Sequence, residues 1–132
     1  MSSLELQKAI VARLKADSSI TTLVSSRVYD QPPTDPSFPY ITVGEDQTLP
    51  DAGDSYDGSE VNLTLHAWSR AMGFPEVKRI IDAVRASLYA APLTLSGHRL
   101  VDIAFVDSRA LRDPDGITNH GTLTFRALTE PV

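Results

Sequence analysis

The sequence contains no cysteine. That absence excludes a disulfide framework, a thiolate metal site and a cysteine nucleophile. Long hydrophobic runs are missing too. A membrane-spanning helix needs about 18 or more consecutive apolar residues, and the richest stretch here, Leu100 to Val106, is interrupted by Asp102. The N-terminus, Met1-Ser2-Ser3-Leu4-Glu5, lacks the basic and then apolar regions of a secretory signal. A protein used inside a cell, or inside a particle assembled there, is expected, with no membrane partner. Positive charge is short as well: twelve basic residues stand against seventeen acidic ones, for a net charge of -5. Sequence-independent binding to nucleic acid rests on Lys and Arg neutralising phosphates, so this balance argues against a DNA-binding module. Neither common phosphate-cradling glycine loop is present.

What remains suits one domain spanning residues 1–132, with 42% hydrophobic and 22% charged residues, enough for a single modest core. Ser2 and Glu5 have capping-box spacing, and Leu6, Ile10 and Leu14 recur every four residues with Val11 beside them, so a helix is predicted up to Asp17-Ser18-Ser19. Ile20 to Val24 reads as one or two further helical turns and Val28-Tyr29 as a brief strand. Four prolines in the nine residues from Gln31 to Pro39 exclude a helix there and predict a surface loop. Tyr40 to Glu45 reads as a strand. Residues 59 to 68 read more clearly as one, with Val61, Leu63, Leu65 and Ala67 alternating against Asn62, Thr64, His66 and Trp68.

A second helix is predicted from Phe74 to Ala90, with Pro75 in the first turn and Pro92 beyond the end. Its stripe of Phe74, Val77, Ile81, Val84 and Leu88 spans too few heptads for a coiled coil and predicts a helix lying on a sheet. Leu93 to Leu95, the turn Ser96-Gly97 and Arg99 to Asp107 suggest a hairpin. In its second strand Val101, Ile103 and Phe105 would form one face and Leu100, Ala104 and Val106 the other, both covered. Asp113-Pro114-Asp115-Gly116 has type I turn chemistry. It leads into a strand from Thr118 to Leu128, with Leu123, Phe125 and Ala127 inward. The order of elements predicts an α+β fold: an antiparallel or mixed sheet with two main helices packed on one face.

Catalytic and metal motifs were sought and not found. The histidines at 66, 98 and 120 have no second ligand at helical or hairpin spacing, so a zinc site would need three distant segments to converge. His66 reads as a surface or interface residue on the polar side of its strand; His98 and His120 flank turns. Gly53-Asp54-Ser55 imitates an esterase nucleophile block, but Leu49-Pro50-Asp51-Ala52 before it reads as loop rather than a buried strand. Asp113-Pro114-Asp115-Gly116 is not a calcium loop, because the proline breaks the ligand rhythm and no closing glutamate follows. No catalytic residue, metal or cofactor is assigned. One electrostatic feature stands out. Glu45, Asp46, Asp51, Asp54, Asp57 and Glu60 fall in a segment without Lys or Arg, and these six charges exceed the whole net excess of -5. Such a segment reads either as a solvated hairpin tip or as a loop where something negative must pass without sticking or a basic partner docks.

The ordered pieces of the chain resemble a known family. They are Ala12-Arg13-Leu14; Arg27-Val28-Tyr29-Asp30; Phe38-Pro39-Tyr40-Ile41; Gly44-Glu45; Leu63 to Arg70; Gly97-His98-Arg99-Leu100-Val101; Arg112 to Gly116; His120-Gly121; and Phe125-Arg126-Ala127. Over nearly its full length the chain is similar to the tail-completion proteins, or tail terminators, of long-tailed bacteriophages and gene transfer agents. The resemblance implies a structural role in the virion, assembled in a host bacterial cytoplasm. Proteins like this form a six-membered ring on the head-proximal end of the tail tube. They stop tube polymerisation and offer a surface to the head connector, and some are monomers until they reach the tail. It implies three protein partners: further copies of the chain, the tail tube protein and a head connector protein. DNA passes through such a ring without specific binding. Interface or lumen candidates are Glu45, Asp46, Asp51, Asp54, Asp57, Glu60, His66, Trp68 and Arg70. Trp68 has two readings, an exposed interface anchor or a side chain buried beneath a helix. Another ring of the head-to-tail connector is the alternative role, and a small hydrolase or ligand-binding domain a more distant one.

Overall fold

The computed structural model describes residues 2–50 and 58–132. Two helices open the chain, α1 (Ser3–Ala16) and α2 (Ser18–Val24), followed by the short strand β1 (Val28–Tyr29). Strands β2 (Tyr40–Pro50) and β3 (Ser59–Ser69), helix α3 (Pro75–Ala90), and strands β4 (His98–Arg112) and β5 (Asn119–Pro131) complete it. The five strands form one sheet in the order β1-β2-β3-β5-β4. β1 runs parallel to β2, and every other pairing is antiparallel. This is the expected α+β architecture, with a mixed sheet and the helices on one face.

Period-2 alternation in β3 and β5 sends Val61, Leu63, Leu65, Ala67, Leu123, Phe125 and Ala127 to the helix side, all buried. Leu6, Ile10 and Leu14 of α1, and Val77, Ile80, Ile81, Val84 and Leu88 of α3, meet them to close the core. At Gly121 the approach of α3 is so close that a Cβ would lie 2.8 Å from Ile81 Cδ1 and 2.9 Å from Val77 Cγ2. None of the described helices is long and apolar enough to cross a membrane.

Four sequence expectations need correction. The capping box does not form: Ser2 occupies the N-cap, but its hydroxyl makes no capping bond. It lies 2.6 Å from Thr129 Oγ1 instead. Both hydroxyls are buried, and each is the other's partner. Second, Leu93 to Leu95 is not a strand; both leucines drop into the core from an irregular connection, and β4 pairs with β5 instead.

Third, β4 is not covered on both sides. It is an edge strand, and register shifts between Leu100 and Asp102 and between Phe105 and Asp107 leave Val101 and Val106 unpaired and exposed. Each bulge inverts the facing of the residues beyond it, so Leu100, Ile103, Phe105 and Ala110 are the side chains packed against the core. Fourth, Leu49-Pro50 is not loop: β2 continues through Pro50, with Leu49 opposite Glu60 and Pro50 opposite Ser59. The Asp113–Gly116 turn is present. The Gly116 N–H donates to Asp113 O at 3.0 Å, and Gly116 has φ +76°, a conformation glycine adopts readily.

Candidate interaction surface

Among the described residues no helix covers the second face of the sheet. Register places its side chains in rows that cross the strands. Tyr40, Trp68, His120 and Leu111 stand opposite one another across β2, β3, β5 and β4, and the next row contains Thr42, His66, Thr122 and Arg109. The first row is aromatic. The Trp68 and His120 rings stack at 3.8 Å and 12°, Tyr40 and Trp68 at 6.1 Å, and Phe38 lies 5.0 Å from Tyr40. Trp68 therefore lies under no helix; neighbouring rings half-bury it, and its Nε1–H donates to Thr42 Oγ1 at 3.3 Å. Burial pushes the Tyr40 hydroxyl above its ordinary range. Arg70, just past β3, lies 4.2 Å over the Phe38 ring and donates from Nε to Thr118 Oγ1 at 3.1 Å.

The two rows meet in a line of four polar side chains. His66 Nε2 lies 2.8 Å from Glu45 Oε1, and His66 Nδ1 lies 2.7 Å from His120 Nε2. His120 Nδ1 is 3.7 Å from Asp113 Oδ1. The His66 bond holds the Glu45 carboxyl below the usual carboxylate range. Burial and the neighbouring His66 hold His120 below the usual imidazole range, with Asp113 and Glu45 opposing. Gly44 makes the line possible, because a Cβ there would lie 2.6 Å from His66 Cδ2 and 2.9 Å from Thr64 O. A bulge between Val43 and Asp46 turns Glu45 toward the ring.

The remaining acidic candidates divide. Asp46 accepts a hydrogen bond from Ser3 Oγ at 2.6 Å. Glu60 accepts from Arg126 Nε at 2.9 Å and from Asn62 Nδ2 at 3.0 Å, and these bonds hold its carboxyl below the usual range. Asp51, Asp54 and Asp57 lie outside the described residues. Glu45 and Asp46 lie at the β2 bulge, and Glu60 pairs with Leu49 nearer the end of the β2–β3 ladder. The six described candidates do not form one site: His66, Trp68 and Glu45 come together, Arg70 stands at the end of the sheet near Phe38, Asp46 bonds Ser3 of α1, and Glu60 bonds Arg126 across β3 and β5.

Sequence reasoning placed His120 beside a turn and missed it, Asp113 and Tyr40 as members of this surface. The register of β3 against β5 sets Trp68 opposite His120, that of β2 against β3 sets Tyr40 opposite Trp68, and Asp113 reaches His120 from the β4–β5 turn. Among the described residues no three His, Cys, Asp or Glu side chains are arranged to hold a metal ion. His66 and His120 spend their facing nitrogens on each other, and among the described residues no serine or threonine hydroxyl is paired with either ring. The arrangement offers contact area and hydrogen-bond specificity.

A profile of tail completion protein gp17 matches residues 8–130. The chain belongs to the tail completion protein gp17 family. It is 28% identical over 126 residues to the tail completion protein gp17 of Bacillus phage SPP1, covering 96% of this chain and 92% of that protein. A chain in the virion of a native gene transfer agent particle superposes with a TM-score of 0.90 at 29% identity, covering 98% of this chain and 97% of that one. The structure of bacteriophage SPP1 gp17 superposes with a TM-score of 0.68 at 27% identity, covering 95% of this chain and 88% of that one. As a tail completion protein the chain is a structural component of the tail in a phage-type virion.

Proposed function

We propose that this chain closes into a six-membered ring on the head-proximal end of the tail tube, stops the tube from growing and joins it to the head connector, without catalysing a reaction. The observation that carries the reading is the near-complete superposition on a chain of the gene transfer agent virion, at a TM-score of 0.90. A ring of identical copies needs two unlike surfaces on each subunit. The edge strand β4, with exposed Val101 and Val106, and the aromatic row on the open face offer two such surfaces. Trp68 and Arg70 act as contact residues, and aromatic and arginine side chains are the usual anchors of protein interfaces.

The acidic segment has its own role in this reading. Placed at the lumen or against the tube, it keeps DNA moving, because like charge prevents tight binding. Screening limits its reach to about 8–10 Å at ordinary salt, so the segment acts only close to the axis. Removing the gene tests the reading: particles lacking the protein should show unjoined heads and tails, or tails of uncontrolled length. Normal, joined particles without it would refute the reading.

A further inference from the structure

The line Glu45–His66–His120–Asp113 has a proton count that its geometry fixes. A carboxylate only accepts, so the His66 nitrogen 2.8 Å from Glu45, Nε2, must be the protonated one. Neutral His66 then has a bare Nδ1, which can only accept from His120 Nε2 across 2.7 Å. Neutral His120 is left with a bare Nδ1 facing Asp113 at 3.7 Å. The neutral line therefore has room for one more proton. With it, His66 Nε2 donates to Glu45, the protonated His120 Nδ1 faces the Asp113 carboxylate as an ion pair at 3.7 Å, and a single proton is shared on the central bond. A second added proton has no such place: both facing nitrogens would be donors, and the central bond must open. The rings are well shielded, with each side chain only 16% exposed, so their mutual repulsion is weakly screened.

We propose that His66 and His120 form a one-proton clasp that joins the β2 bulge, through Glu45, to the β4–β5 turn, through Asp113, and that a second proton opens it. The clasp spans β2, β3 and β5 and needs Gly44 beneath the His66 ring. Other ionisable groups on this face are Tyr29 on β1, Tyr40 on β2, Glu60 on β3, Arg70 after β3, Asp102, Asp107 and Arg109 on β4, and Arg126 on β5. Asp115 lies in the turn, where it accepts from Thr118 Oγ1 at 2.6 Å. The helices lie on the other side of the sheet. This inference concerns the folded chain alone and stands apart from the ring reading.

Long-range proton–nitrogen NMR of the 15N-labelled full chain, titrated from pH 8.5 to 4.5, tests it. His98, at the far end of β4 with Nδ1 3.2 Å from Ser96 O, serves as the internal reference. At high pH both His66 and His120 should show the Nε2–H tautomer. Both rings should then report the same two steps, separated by roughly one pH unit or more, as coupled sites do. Asp113→Asn should move the first step of both rings to lower pH, and His120→Gln should leave His66 a single step. Two independent single-step curves for His66 and His120 would overturn the clasp, as would an Nδ1–H tautomer of His66 at high pH. The wild-type titration decides the matter even if a variant does not fold.

Discussion

The two faces of the sheet are built from alternate residues of the same strands, yet they obey different rules. On the helix side, Leu65 and Phe125 are fully buried and find their partners in α1 and α3. On the open side, His66, Trp68 and Glu60 find theirs across the strands, in other side chains of the sheet itself. The covered face answers to volume. The open face answers to register and hydrogen bonding, because each polar atom must find a partner without burying the whole side chain. Each face also has one glycine where a methyl group does not fit, Gly121 beneath α3 and Gly44 beneath His66.

The largest effect should come from the covered face. Phe125→Ala removes a fully buried ring and should cost about 3–5 kcal/mol, read as a lower urea midpoint with assembly impaired only through folding. Trp68→Ala on the open face removes a half-buried ring and should cost less, about 2 kcal/mol. It should nevertheless impair joining of heads to tails in proportion beyond its stability loss. Equal damage per unit of stability from the two substitutions would erase the functional difference between the faces.

The glycines sharpen the comparison. Gly121→Ala and Gly44→Ala should each cost about 1–3 kcal/mol by overpacking. Only Gly44→Ala should displace the His66 ring and change the tautomer signals of His66 and His120. Identical histidine spectra in the two variants would show that Gly44 does not support the line.

Acid provides a smaller and more gradual effect. The folded His120 sits below its ordinary 6.5, so the unfolded chain binds this proton more readily. Its contribution to stability is complete above about 6.5 and declines as pH falls from there through the folded value. Glu45 lies below its ordinary 4.5 in the fold. Its contribution is present above that value and is lost as pH falls through the folded one. Urea midpoints at pH 8, 6 and 4 should fall in that order, and His120→Gln should flatten the first interval. The smallest effect is expected from the acidic segment: Asp51, Asp54 and Asp57 to Asn should leave stability and assembly intact and slow DNA exit. Delivery at the normal rate would refute the lumen role.

The covered face was the more legible in the sequence. The stripes in α1 and α3 and the alternation in β3 and β5 identified their buried residues, because periodicity depends only on near neighbours in the chain. Strand β4 was misread because a bulge adds a residue without any local signature, and two of them, at Val101 and Val106, broke the alternation. The Ser2 hydroxyl was assigned to its own helix, since nothing nearby in the chain reveals Thr129, 127 residues away. The open face was legible only in part. His66, Trp68 and Glu45 were recognised singly, but the His66–His120 bond links residues 54 apart and exists only once β3 and β5 are in register.

The central claim is that this chain is the joint between tail tube and head. Electron cryomicroscopy of intact particles bearing a tagged copy would test it most directly. The account predicts six copies of the tag in one layer at the head-proximal end of the tube. Tag density along the tube, at the tail tip, within the connector itself or nowhere in the particle would contradict it.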